Sequence, residues 1–346
     1  MVMTIPRGRG IVRNTRARAI AMALVVMLLA SGHHSESGFD TESVVAFQGT
    51  VAQFSWRNPH TYITIETMSD SGERVEWEIE TDATPILVRG GWTPESLTPG
   101  DAVSVRGYPA RDGRHYALLI SLENARDGSV FEQTEEDSRA TGSTSDLSGV
   151  WKGNPSELDA NFERLANTPL TEKGAAAQEQ FDVNSEDPGA MCIADTSPTI
   201  VALTALFLSE IEINEDVVVI RTERFDVERT VFMDGRGHPD DDERTIQGHS
   251  IGWWEDDTLV VDTTHFADHR SPGVSGVPSG AQKHVVERYT LSDDGTRIII
   301  DTFLEDPEYL AEPLNATYEW NYRPDLELLR YECDPSTATR HILGSR

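Results

Sequence analysis

Basic residues are scarce in this 346-residue chain, in which 29 lysines and arginines stand against 59 aspartates and glutamates. The net charge of −30 repels the phosphates of nucleic acids and the surfaces of anionic lipids. The composition therefore predicts that no nucleic acid is a partner, and leaves a small molecule as the expected kind of ligand.

Several catalytic signatures are also absent. The sequence predicts no strand-to-helix nucleophile elbow, no His-Glu-x-x-His zinc motif and no glycine-rich phosphate loop. The acidic run 240–243 lacks the alternating ligands and the distal glutamate of a calcium loop. Whether the chain is an enzyme stays open on these grounds.

Only two cysteines are present, Cys192 and Cys333. An even count in an exported chain favours a disulfide over two buried free thiols. Closing so long a loop stabilises a fold by roughly 4–5 kcal/mol in the chain-entropy model. We therefore predict a Cys192–Cys333 disulfide.

No apolar run reaches the ~20 residues that a membrane-spanning helix needs. The apolar run 19–29 follows five arginines and precedes Ala30-Ser31-Gly32. This order of basic, apolar and small residues predicts a secretory signal peptide, residues 1–32. We expect a periplasmic or secreted protein that begins at His33 and has no membrane span after cleavage.

Residues 33–123 predict a small barrel. Five short segments rich in β-branched and aromatic residues are candidate strands, with a helix at Thr84–Arg89 after the third: 44–56, 61–67, 74–80, 102–107 and 115–123. This order is that of an oligonucleotide/oligosaccharide-binding (OB) fold, a name that does not itself imply nucleic acid. Residues 124–145 are predicted to be a linker.

Residues 146–346 predict a larger, lipocalin-like antiparallel meander barrel. After a helix near 171–181, nine candidate strands follow with mostly tight turns: 206–213, 217–223, 227–233, 249–254, 259–265, 284–291, 297–304, 316–322 and 327–333. Eight or nine sequential strands can close on themselves, which removes exposed edges. The predicted fold class is thus all-β, an OB-like five-stranded barrel followed by a larger barrel.

Short motifs in both predicted domains resemble those of a family of exported bacterial proteins described only as a domain of unknown function. They include His33-His34-Ser35, Asn58-Pro59-His60, Gly248-His249-Ser250-x-Gly252 and Asp257-Thr258-Leu259-Val260-Val261-Asp262-Thr263. The resemblance implies no established activity.

The first candidate site is a metal centre at the mature amino terminus. The His33 amine and imidazole, together with His34 or His60, offer the nitrogen ligands that copper(II) prefers. The alternative is a flexible terminus without metal and a His60 that caps a turn. Copper is therefore a hypothesis, and the cofactor is otherwise unknown.

The second candidate site lies in strands of the larger barrel and comprises His249, Asp262, Glu287 and Arg288. Charges within strands rich in valine and isoleucine must be paired, because burying an unpaired charge is costly. One interpretation is a His–carboxylate pair in a barrel mouth that moves a proton. The other is a structural ion-pair network.

The third candidate site is an aromatic group: Trp151, Trp253, Trp254 and Trp320. These side chains either line an apolar ligand pocket or fill a barrel core. We predict an exported protein that binds a small lipophilic or uncharged ligand. The alternatives are a lipocalin-like isomerase, lyase or hydrolase and an envelope interaction module, and the oligomeric state is not predicted.

Overall fold

The structure is a computed structural model. It describes residues 38–69, 71–132, 137–158, 160, 163–164, 167–182, 186, 188–240, 243–268 and 276–338. The predicted signal peptide, His33 and His34 lie outside the described residues. In the part of the chain that is described, no helix is long and apolar enough to cross a membrane. The protein is mostly β, with one closed barrel of five strands and one of nine.

The small barrel has the predicted strand order. Its strands are β1 (Val45–Ser55), β2 (Tyr62–Met68), β3 (Arg74–Glu80), β4 (Ala102–Pro109) and β5 (Tyr116–Asn124), and α1 (Thr84–Arg89) follows β3. Neighbouring strands pair in the order β3-β2-β1-β4-β5, and parallel pairing of β3 with β5 closes the barrel. Alternate side chains such as Ile63 and Ile65 fill the core, as the period of two along a strand requires. Within the segment predicted as a linker, β6 (Val130–Glu132) pairs with β5.

The larger barrel consists of nine strands in a closed order. They are β7 (Gly149–Gly153), β8 (Leu208–Ile213), β9 (Val217–Thr222), β10 (Val227–Phe232), β11 (His249–Glu255), β12 (Thr258–Thr264), β13 (His284–Leu291), β14 (Arg297–Glu305) and β15 (Leu314–Tyr322). All neighbours pair antiparallel except β10 and β11, which run parallel. The predicted meander is interrupted there, because residues 233–248 carry the chain back before β11 begins.

The predicted strand 327–333 is wrong. Its backbone instead meets carboxylates: Leu329 N donates to Glu223 Oε1 and Tyr331 N donates to Asp226 Oδ1. The ninth barrel strand is β7, which pairs with both β15 and β8. The segment ends in the predicted Cys192–Cys333 disulfide, which is confirmed with a Cα–Cα distance of 5.8 Å.

The interior of the larger barrel is packed with apolar side chains. The predicted helix near 171–181 is confirmed as α2 (Glu172–Glu179), in which the Thr171 side chain accepts from Gly174 N and caps the first turn.

A second short helix, α3 (Thr199–Ala202), is wholly buried against the inner wall. Trp320 Nε1 donates to the carbonyl of Val201 in this helix, which fixes the helix inside the barrel. A last short helix, α4 (Pro335–Ala338), follows Cys333.

Candidate functional site

The four predicted catalytic residues lie on two different faces of the barrel wall. Successive side chains of a strand point to opposite faces, so Glu287 shares the inner face of β13 with Val285 and Tyr289. The register pairs Asp262 with Val286, which places Asp262 on the outer face. The structure therefore does not bring Glu287 and Asp262 together in one cavity.

Glu287 belongs to a buried ion pair. It is 0% exposed, and Arg229 Nη2 donates to its Oε2 at 2.5 Å and to Tyr289 OH at 3.1 Å. Ser197 Oγ donates to the other carboxylate oxygen. Burial alone would lower the pKa of Arg229, but its charge interactions and hydrogen bonds with Glu287 and Tyr289 together outweigh burial and raise that pKa. These contacts support the structural interpretation of Glu287.

Arg288 points away from this network. Its Nη2 lies 2.7 Å from Glu255 Oε2 on the exposed outer face. An exposed pair of this kind contributes about 0–1 kcal/mol to stability. Arg288 and Glu287 are neighbours in sequence, yet their side chains lie on opposite faces of the barrel wall.

His249 and Asp262 are joined through a histidine that the sequence had not singled out. His238 Nδ1 lies 2.9 Å from His249 Nδ1, and His238 Nε2 lies 2.9 Å from Asp262 Oδ1. A carboxylate only accepts hydrogen bonds, so Nε2 of His238 carries the proton and Nδ1 carries the lone pair. His249 then donates the proton that lies between the two Nδ1 atoms.

Asp262 holds a further histidine through its second oxygen. His284 Nε2 lies 3.0 Å from Asp262 Oδ2, and His284 Nδ1 lies 3.2 Å from Glu305 Oε1. Burial lowers the pKa of His284, but hydrogen bonds and the charges of both carboxylates raise it overall. Asp262 is thus shared by two imidazoles, which fixes the orientation of each.

His265 completes this group, which we term the histidine cluster: His238, His249, His265 and His284 with Asp262. The residue follows β12 and has a φ of 58°. Its ring centroid lies 5.9 Å from that of His238 and 6.4 Å from that of His249. Its Nδ1 is hydrogen-bonded to Thr264 Oγ1 at 2.8 Å. Three imidazoles therefore surround one small volume on the outer wall.

The segment that precedes β11 positions the histidine cluster. Thr245 N donates to the carbonyl of His265, and Ala267 N donates to the carbonyl of Thr245, so residues 243–248 lie against the end of β12. Gly248 has a φ of 70°, and a Cβ there would lie 2.5 Å from the carbonyl oxygen of Thr264. Only glycine allows this close approach, which places His238 next to His249.

The letters Gly248 to Gly252 also spell Gly-x-Ser-x-Gly, but Gly248 directly precedes strand β11 and the other four residues lie within it, not at a turn into a helix. Ser250 is buried, and its Oγ lies 2.9 Å from Thr263 Oγ1. A nucleophile elbow presents its serine at a sharp, exposed turn. Ser250 is therefore no nucleophile of that kind.

His60, the described member of the predicted copper site, lies in the small barrel. Its Nδ1 is 3.1 Å from Glu80 Oε1 and 3.3 Å from the carbonyl oxygen of Thr81. Glu80 is buried and accepts a hydrogen bond from Tyr116 OH. His60 is therefore oriented by a carboxylate that is itself fixed.

The four tryptophans do not line one pocket. Trp151 and Trp320 are buried in the barrel core, whereas Trp253 and Trp254 are 41% and 45% exposed. Trp320 lines an interior cavity of about 10 Å³. A cavity of this volume is of the size of one water molecule and does not hold a drug-sized ligand.

The fold and the cluster define an all-β protein of two barrels with a histidine–carboxylate group on the outer wall of the larger one. Residues 22–119 match the model of a family of unknown function, DUF6152. The predicted resemblance to such a family is thereby confirmed for the range that contains most of the small barrel.

Two curated relatives are similar to part of this chain. They are deoxyhypusine synthase-like proteins of Chlorobaculum parvum and Chlorobaculum tepidum, each 28% identical over 127 residues. The match covers 31% of this chain and 36% of each relative. The chain thus spans about a third of the relatives' length, and their name describes those proteins alone.

Proposed function

We propose that the larger barrel binds one divalent transition-metal ion of the copper–zinc class through His238 and His249. The observation that carries this proposal is the 2.9 Å separation of their two Nδ1 atoms. Two nitrogens bonded at right angles to one tetragonal copper(II) ion, with bonds of about 2.0–2.1 Å, also lie about 2.9 Å apart, and tetrahedral zinc needs about 3.3 Å. A cation can therefore replace the proton that these nitrogens share.

The carboxylate behind His238 supports a ligand role. Histidines that bind metals usually donate the other ring N–H to a carboxylate, which fixes the tautomer and makes the ligand more basic. Asp262 makes this contact with His238 Nε2 at 2.9 Å. The lone pair of His238 is consequently directed at the Nδ1 of His249.

His265 is the third ligand in this proposal. No three His, Cys, Asp or Glu side chains among the described residues already stand in an arrangement that holds a metal ion. Imidazoles bound to one ion have centroids about 5–6 Å apart, given bonds of about 2.0–2.1 Å. The ring of His265 lies 5.9 and 6.4 Å from the other two, so a small rotation completes the site.

Calorimetric titration of the metal-free mature protein with zinc and copper(II) tests the proposal. The chain carries His33→Gln and His34→Gln, so that its amino terminus does not contribute. We expect one ion per chain, and His238→Gln or His249→Gln should weaken binding at least tenfold. The exposed His115 of the small barrel provides the control, since His115→Gln should bind normally. Equal affinity in all variants, or no saturable binding, contradicts the proposal.

A copper site at the amino terminus is a second candidate, favoured by the contact between His60 and Glu80. When Nδ1–H of His60 donates to the carbonyl oxygen of Thr81 beside Glu80, the lone pair lies on Nε2, the nitrogen that ligates. Copper(II) binding should then need the His33 amine, and one extra residue before His33 should weaken it at least tenfold. Calorimetry on both forms decides, and equal affinities contradict this site.

The proposed binding site is the outer wall because the described interior is filled. A β-barrel is compatible with a binding protein, but the cavity described in the core of the larger barrel has the size of a water molecule. Export is also part of the proposal, since disulfides such as Cys192–Cys333 persist in oxidising compartments. Amino-terminal sequencing of exported protein should give His33, and a start at Phe39 or later contradicts the copper site.

A further inference from the structure

Two of the residues that line the interior cavity of the larger barrel carry a buried polar atom that is not paired. The cavity is lined by the apolar side chains of α3 and the strands, together with Arg229, Gln247, Thr222 and Tyr289. Arg229 Nη1 and Gln247 Oε1 are buried and have no hydrogen-bond partner among the described residues. Arg229 is 6% exposed. Leaving such groups unpaired is costly, which makes this cavity a candidate binding site.

The remaining atoms of both side chains are already used. Arg229 Nη2 donates to Glu287 and Tyr289, and Gln247 Nε2 donates to the carbonyl of Asp195 at 2.8 Å. The cavity therefore presents one donor and one acceptor. Its ligand must accept from Arg229 and donate to Gln247.

The charges and the volume select the chemical class of this ligand. Glu287 already neutralises Arg229, so an anion gains little here, and a cation is repelled by the guanidinium. A volume of about 10 Å³ fits a single small molecule. Water is a donor and an acceptor of this size.

We infer that the cavity binds one internal water molecule, which links Arg229 Nη1 to Gln247 Oε1. Gln247 belongs to residues 233–248, the same segment that carries His238. The water thereby anchors the end of this segment to the buried Arg229–Glu287 pair. This inference uses the position of the segment and does not depend on metal binding.

A high-resolution crystal structure of the metal-free protein tests the site directly. We expect one water oxygen within about 2.7–3.2 Å of both atoms. Density for a larger molecule, or an Arg229 Nη1 bonded to a protein acceptor in a collapsed cavity, overturns the inference.

Hydrogen exchange tests the anchoring. Gln247→Met keeps the side-chain length but removes both the acceptor and the Nε2 donor to Asp195, whereas Gln247→Glu removes only the donor. We expect the amides of Thr245 and Gly248 to exchange at least tenfold faster in Gln247→Met than in Gln247→Glu. The exposed Gln282 supplies the matched control, since Gln282→Met should leave these amides unchanged. Amides of the small barrel should be unaffected in all three variants. Equal protection of Thr245 and Gly248 in Gln247→Met and Gln247→Glu refutes the anchoring role, whatever the result of the zinc titrations.

Discussion

Lys283 is a buried ammonium group of the larger barrel. Its Nζ donates to Thr196 Oγ1 at 2.5 Å and to Ser279 Oγ at 3.2 Å, and it lies 4.5 Å from the ring centroid of Phe266. Burial lowers the pKa of Lys283 to about 7, although the charges of Asp306 and Glu287 favour the protonated form. This burial is not predictable from the sequence, because no local pattern distinguishes a buried lysine from an exposed one.

Lys283 should make stability depend on pH in the alkaline range. Below pH 7 the lysine is protonated in both states, so the folded state bears the full cost of burying the charge. Between about pH 7 and 10.4 the unfolded chain binds more protons, so the free energy of unfolding rises by up to about 1.4 kcal/mol per pH unit. Lys283→Met should remove this rise in urea titrations at pH 7, 8 and 9. The exposed Lys173 is the control, and a slope that survives in Lys283→Met would count against this account.

Glu287 and Arg288 are adjacent charges whose removal should have very different costs. Glu287→Gln leaves the buried Arg229 without its counter-charge, and we expect a loss of about 3–5 kcal/mol. Arg288→Gln breaks only an exposed pair with Glu255, for an expected loss of about 0–1 kcal/mol. Urea unfolding at neutral pH measures both. Similar losses of unfolding free energy in the two variants would contradict the placement of Glu287 and Arg288 on opposite faces of the barrel wall.

The candidate site was only partly predictable from these residues. Alternation along β12 correctly grouped Asp262 with Val260 and Thr264, opposite Leu259 and Val261, because that period is local. Which face Asp262 shares with β13 depends on the register between strands, which no single strand encodes. Sequence reasoning therefore combined His249 and Asp262 with Glu287 and did not single out His238. His238 stands in a motif that the chain shares with the family it resembles, Asp234-Gly235-Arg236 with His238-Pro239, and in a long loop beside a strand end, but it was not predicted as a site residue.

At the scale of elements, the strands were predictable and their closure was not. Most strand limits agree within about two residues because period-two alternation and tight turns are local signals. The segment 327–333 has a similar pattern, yet its N–H groups bond to Glu223 and Asp226. The sheet is closed by β7 instead. The parallel pairing of β10 with β11 was likewise not predictable from the sequence, since it depends on the path of the chain between these two strands.

Gly248 should be required for the segment that precedes β11 to pack against the end of β12. Gly248→Ala places a Cβ 2.5 Å from the carbonyl oxygen of Thr264 at a positive φ, so backbone must shift. Gly235 has a similar φ of 78° with nothing near a Cβ, so Gly235→Ala should cost only the conformational strain of about 1–2 kcal/mol. Gly248→Ala should cost more than this in urea unfolding and should increase amide exchange around Thr245. Equal costs would mean that the close approach is not required.

At the scale of the molecule, hydrogen bonds and an ion pair connect the two barrels. Arg89 of α1 donates to both oxygens of the buried Glu223 at 2.9 Å. Asn58 of the small barrel forms a bridge to Cys333, and its Oδ1 accepts from Thr84 N at 2.7 Å. Segment 327–333 thus lies between the barrels and is held at both sides. The pattern of strand segments and turns predicted two β-barrels, but the contacts that join them come from residues far apart in the sequence.

The Cys192–Cys333 disulfide should stabilise this connection through the unfolded chain. It closes a loop with a sequence separation of 141, which includes β8 to β15. In the chain-entropy model such a loop contributes about 5 kcal/mol. The double variant Cys192→Ser, Cys333→Ser should therefore lose roughly that amount in urea unfolding, with the loss shared by probes in both barrels. Wild-type protein unfolded under reducing conditions should match the variant, because both lack the same constraint. A variant as stable as the oxidised protein, or freely alkylated thiols in the native wild type, would contradict this role.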